Sequence, residues 1–151
     1  MNGIGNDPVI SDCIYDITST AAQGTSKVSP DGKYYIYART EWSLSNPRGT
    51  ELYTVNSLTG YLTPVFAFAA DDDSFWVNGA EFSANSEYLY LSINQILYPP
   101  ITYHTKVKQF DMSKLNKVDL FESSGVTLYH EESENGFEQM QIGPDGKIYA
   151  A

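Results

Sequence analysis

A single cysteine, Cys13, in 151 residues excludes an internal disulfide framework and any metal site built from several thiolates. It follows Ile10-Ser11-Asp12 rather than the apolar run and small residues that precede a lipid-attached cysteine, and reads as a small, semi-buried side chain. Cations are scarce as well. Nine Lys and Arg against nineteen Asp and Glu give a formal net charge of −10 at pH 7, so the average surface repels phosphate backbones and anionic lipid, and nucleic acid is not an expected partner. The basic run Lys106, Lys108, Lys114 and Lys117 is interleaved with Asp111 and Asp119, the pattern of a solvated strand and turn. No apolar run approaches membrane-spanning length, and membrane insertion is not expected. Residues 1–10 hold neither a basic stretch nor an apolar core, so they contain no secretory signal.

Signatures of catalysis are equally thin. No Gly-x-Ser-x-Gly elbow supplies a hydrolase nucleophile, and Gly3-Ile4-Gly5 lacks the third glycine of a dinucleotide site. Asp71-Asp72-Asp73 is followed by Phe75 and Trp76 where a calcium loop of the EF-hand type needs an oxygen ligand and a glycine, so it reads as a solvated acidic loop, with a looser calcium site left open. His130-Glu131-Glu132 lacks the second histidine of a zinc helix, and His104 lies far away in sequence. No catalytic residue, metal ligand or cofactor is therefore assigned, and an enzyme is the less favoured reading.

Aromatics and punctuation are abundant instead. Twelve Tyr, seven Phe and two Trp accompany eleven Gly and seven Pro, a composition that suits pleated, packed sheets and predicts an all-β fold. The strongest signal is an internal repeat. Val28-Ser29-Pro30-Asp31-Gly32-Lys33-Tyr34, Phe82-Ser83-Ala84-Asn85-Ser86-Glu87-Tyr88 and Ile142-Gly143-Pro144-Asp145-Gly146-Lys147-Ile148 align as strand, tight turn, strand, with spacings of 54 and 60 residues (Ser29 to Ser83, Ser83 to Gly143). A third strand recurs at Glu51-Leu52-Tyr53-Thr54-Val55-Asn56 and Lys106-Val107-Lys108-Gln109-Phe110-Asp111, each leading into a fourth. After Asp111 the fourth strand is expected beyond a turn near Asn116, in preference to a short helix over 111–121 capped by Ser113. Leu89, Leu91 and Ile93 alternate with Tyr88 and Tyr90, so the second strand is apolar on both faces, as in a sheet sandwiched between sheets.

Four-stranded units with both faces covered predict a β-propeller fragment of about two and a half four-stranded antiparallel blades. The expected division is 1–24 as an N-terminal segment, with the end of a preceding blade as one reading of it, 25–78 as blade one, 79–136 as blade two, and 137–151 as the first two strands of a third. A six- or seven-bladed ring needs on the order of 350 to 400 residues. The remaining blades are thus expected from a longer chain or from self-association.

Strand parity puts the connections 39–49, 68–78, 95–105 and 129–136 on one rim. That rim carries Arg39, Trp42, Asp71, Asp73, Trp76, Tyr98, Tyr103, His104 and His130, with Glu41, Asp72 and Glu131 beside them. Aromatics with few cations suit a carbohydrate or protein partner.

Gly79-Ala80-Glu81-Phe82-Ser83, Tyr88-Leu89-Tyr90-Leu91-Ser92, Val107-Lys108-Gln109-Phe110-Asp111 and the closing Gln139-Met140-Gln141-Ile142-Gly143-Pro144-Asp145-Gly146-Lys147-Ile148-Tyr149-Ala150 resemble successive WD-like propeller blades of large bacterial surface proteins exported by the type IX route. The resemblance covers residues 23–151, and the Ser-Pro-Asp-Gly-Lys turn is shared with TolB-like, lactonase-like and peptidase-associated propellers. It implies a secreted or cell-surface location and a non-catalytic module for protein or carbohydrate interaction. The alternative it carries is a lactonase-like metal-dependent hydrolase, or a propeller accompanying a peptidase.

Overall fold

Three turns of one design organise the chain. In the computed structural model, which describes residues 23–40, 50–68, 75–97, 102–133 and 139–151, Gly32 takes φ 72° and its N–H donates to the Ser29 carbonyl at 2.8 Å. Asp31 Oδ1 accepts from Ser29 Oγ at 2.7 Å and from Lys33 N at 3.1 Å, which locks the reversal. The third copy repeats this with Gly146 at φ 76° and Asp145 accepting from Lys147 N at 3.1 Å. The second copy has no glycine. Ser86 itself takes φ 60°, and Asn85 accepts from Ser83 Oγ at 2.7 Å and Glu87 N at 3.2 Å. A left-handed residue with a Cβ costs about 1 to 2 kcal/mol, so the second turn keeps its topology but carries local strain.

These turns join strands into antiparallel sheets. The first sheet runs β1 (Gln23–Val28), β2 (Tyr34–Thr40), β3 (Thr50–Val55), β4 (Leu62–Phe68) in sequence order. The second runs β5 (Phe75–Phe82), β6 (Tyr88–Leu97), β7 (Thr102–Asp111), β8 (Val126–Ser133), also in order, and β9 (Met140–Ile142) pairs with β10 (Ile148–Ala150). The protein is all-β, and its described residues form three antiparallel sheets, none closed on itself. Pro64, which has no N–H to give a ladder, sits on β4 at the sheet edge, where the β3–β4 register shifts between Leu52 and Tyr53.

One local expectation is overturned. Residues 111–121 do not lead through a turn into the fourth strand; a 3-10 turn (Met112–Lys114) and a short helix α1 (Val118–Ser123) intervene, and the fourth strand is β8. Asp111 rather than Ser113 caps the 3-10 turn, its side chain accepting from Ser113 N at 3.0 Å. The reason for the detour is Phe121. The helix delivers this fully buried ring against Phe66, Phe68 and Phe110, with centroids 5.1, 5.9 and 5.6 Å away, so aromatic burial outweighs the weak local preference for a hairpin.

The core lies between the first and second sheets. Ile36, Ala38, Leu52 and Phe66 from one side meet Val77, Ala80, Phe82, Leu89 and Leu91 from the other. β5 packs beside β1 and β2, and β9 packs beside β5, so the first strands of successive units are neighbours.

Matching positions make the contacts between units. Lys27, Glu81 and Gln141 each stand two residues before the turn residue Ser29, Ser83 or Gly143. Lys27 Nζ lies 3.1 Å from Glu81 Oε2, and the same carboxylate accepts from Ile142 N of the third unit at 3.0 Å and from Phe82 N at 3.0 Å. The Glu81 side chain is only 6% exposed. One turn above, Asp31 N donates to Ser86 Oγ at 3.1 Å, so the strained residue of the second turn also holds the first.

Candidate functional site

Period-two geometry decides which side chains meet at the far end of the second sheet. Leu89 and Leu91 of β6 are buried in the inter-sheet core. The β6–β7 register then pairs Ile93 with Lys106 and Gln95 with His104, which puts Lys106 and His104 on that same face. Across to β8, His104 stands opposite Glu132 and Lys106 opposite His130. His104, His130, Glu132 and Lys106 thus share the face turned toward the first sheet. They lie at the end where β2, β4, β6 and β8 finish and β3, β5 and β7 begin.

The three potential ligands converge. His104 Nε2 is 3.4 Å from Glu132 Oε1, the two imidazoles approach edge to face with centroids 5.7 Å apart, and one donor atom from each of His104, His130 and Glu132 lies within 4.8 Å of the others. The His104 side chain is 21% exposed and that of Glu132 66% exposed. His104 is therefore anchored in the sheet, and its partners face water.

Behind this face the sheet is rigidly tied. Thr105 Oγ1 donates to Asn94 Oδ1 at 2.7 Å, and both residues are buried. Tyr129 donates its hydroxyl proton to the Glu131 carboxylate on the opposite face, a hydrogen bond that, with burial and the carboxylate charge, holds the phenol above the usual tyrosine range.

The expected rim divides in two. His104 and His130 are brought together, but as strand residues of β7 and β8 rather than as loop residues. Arg39, Trp76 and Tyr103 likewise stand on strands, in β2, β5 and β7. The strands run further than expected because Thr, Tyr, Val and Ile at their ends continue to suit a pleat. Trp42, Asp71, Asp73 and Tyr98 lie outside the described residues.

Glu132 enters the sequence reading only within the discounted run His130-Glu131-Glu132. Its signal was His130-x-Glu132, two positions that share a face once residues 126–133 form a strand and that mean little in a loop. The sequence separation of His104 and His130 was likewise a poor guide, since antiparallel pairing makes them diagonal neighbours.

Among the described residues, no helix is long and apolar enough to cross a membrane. No protein-family model matches the chain, and no curated protein matches it.

Proposed function

We propose that the chain is a segment of a β-propeller, with 25–78 and 79–136 as successive blades and 137–151 opening a third, and that it serves as a non-catalytic binding module of a secreted or cell-surface protein. The observation that carries the reading is the contact between matching repeat positions, Lys27 to Glu81 and Glu81 to the Ile142 backbone, with the first strands of successive units side by side. Blades arranged around one axis need that kind of relation. The remaining blades come from a longer chain or from further copies.

The binding surface in this reading is the end of the sheets that carries Arg39, Trp76, Tyr103, His104 and His130. A protein or a carbohydrate is the partner, because ring faces bind apolar sugar or side-chain surfaces at little entropic cost and the acidic chain disfavours polyanions. Screening the chain on a glycan array and against candidate surface proteins tests this. A specific ligand whose binding falls at least tenfold in Trp76→Ala and Tyr103→Ala supports the rim; a ligand indifferent to both overturns it.

A further inference from the structure

We propose that His104, His130 and Glu132 form a binding site for a divalent transition metal, zinc being the best match. The inference rests on the β6–β7–β8 register alone and stands whether or not the sheets are propeller blades.

The donor set is the first argument. Two imidazoles and a carboxylate are borderline ligands that suit zinc far better than calcium, which prefers six to eight oxygens. Three protein donors leave one tetrahedral position for water or an anionic oxygen ligand.

Geometry is the second argument. Bonds of about 2.0 to 2.1 Å in a tetrahedron put neighbouring donor atoms about 3.4 Å apart. His104 Nε2 and Glu132 Oε1 already stand at 3.4 Å. All three donors lie within 4.8 Å of one another, so rotamer adjustment of exposed side chains such as His130 is enough to close the site.

The support beneath the ligands is the third. His104 is fixed by strand pairing on both sides, to Gln95 and to Glu132, and its neighbour Thr105 is tied to Asn94 inside the sheet. A site on strands holds its ligands more precisely than one on loops. The cations of β7 on this face are Lys106 and Lys108, and Lys106 stands across from His130. An ammonium there weakens the site without abolishing it, which makes Lys106 a diagnostic position.

The test is titration of the whole chain with zinc by calorimetry and, separately, with cobalt, whose visible absorption reports a tetrahedral site with nitrogen and oxygen donors. The expected result is one equivalent bound, affinity at least tenfold weaker in His104→Ala and His130→Ala and weaker in Glu132→Gln, and tighter binding in Lys106→Met. His130 and Glu132 are exposed, so their variants keep the fold, which circular dichroism verifies, and a misfolded His104→Ala leaves the question decidable. Absence of binding, or zinc binding unchanged by His130→Ala and Glu132→Gln, overturns the proposal and leaves the group as a cross-strand His–Glu contact.

Discussion

Replacing Glu81 with alanine removes the group on which all three sheets meet. Its carboxylate takes the N–H groups of Phe82 and Ile142, each at 3.0 Å, and the Lys27 ammonium at 3.1 Å. Hydrogen bonds to a charged acceptor contribute about 1.5 to 3 kcal/mol each, and removing one member of a buried ion pair costs about 3 to 5 kcal/mol. The Lys27 side chain is 25% exposed and can turn to water once freed, so it escapes the buried-pair penalty and adds little. The expected loss is about 3 kcal/mol, mostly from two backbone donors left without an acceptor.

Urea denaturation followed by tryptophan fluorescence measures it. Glu81→Gln keeps one acceptor oxygen and is expected to lose about half as much. Lys27→Met is the milder change, and the double variant Lys27→Met with Glu81→Ala gives a coupling of about 1 kcal/mol. Exchanging the charges, Lys27→Glu with Glu81→Lys, restores little, because a lysine cannot accept from Phe82 and Ile142. A Glu81→Ala chain within 0.5 kcal/mol of the parent, or full rescue by the exchange, would refute the reasoning.

Three further outcomes follow from the same contacts. Ser86→Ala keeps the left-handed backbone and loses the acceptor for Asp31 N, so it destabilises by about 1 to 2 kcal/mol, whereas Ser86→Gly relieves the strain and comes out near neutral; equal melting shifts for the two variants would show that the φ of 60° carries no strain. Burial is the largest single influence on Asp31 and raises its pKa, but the Ser29 hydroxyl, the Lys33 N–H and the Lys33 ammonium together outweigh it and bring the value from 3.8 to about 2. The stability this provides is complete above the unfolded value and lost as pH falls from about 4 to about 2, ~1 kcal/mol after allowance for solvent screening; it is absent in Asp31→Asn, which denaturant midpoints across that range will read. Phe121→Ala empties a fully buried site lined by three phenylalanines and costs about 3 to 5 kcal/mol in the same denaturation assay.

The parts of the fold written in local chemistry were legible. Pro-Asp-Gly turns declare themselves because φ, a side-chain acceptor and a missing Cβ are properties of single residues, and the alternating apolar face of Leu89 and Leu91 declares a buried strand. Residues 111–121 are not legible in this way, because Thr63-Pro64 at the matching place in the first unit has no helical period and favours a plain strand. What selects the helix is the fit of Phe121 among Phe66, Phe68 and Phe110, a contact between units that no local pattern contains. The site behaved in the same way. His104 and His130 stood out as residue types, but their meeting depends on the β7–β8 register, with its shift between Val107 and Lys108, and Glu132 acquires meaning only from that register.

A repeat built from identical units would set like charges against each other wherever a charged position meets its own copy. Here the position two residues before each turn varies, with Lys27, then Glu81, then Gln141. The first unit offers a cation, the second an anion that also reaches two backbone donors, and the third receives through its backbone. Position is thus held constant while chemistry changes, so neighbours are attracted only in the order in which the chain presents them. The turn residues obey the opposite rule. Their chemistry is held nearly constant because φ above zero is demanded in every copy, and the one copy that departs, Ser86, uses its hydroxyl to grip the turn before it. Strain inside one unit and adhesion between two units therefore reside in a single residue, and the register that adhesion enforces carries through β5 and β6 to the strands on which His104, His130 and Glu132 converge.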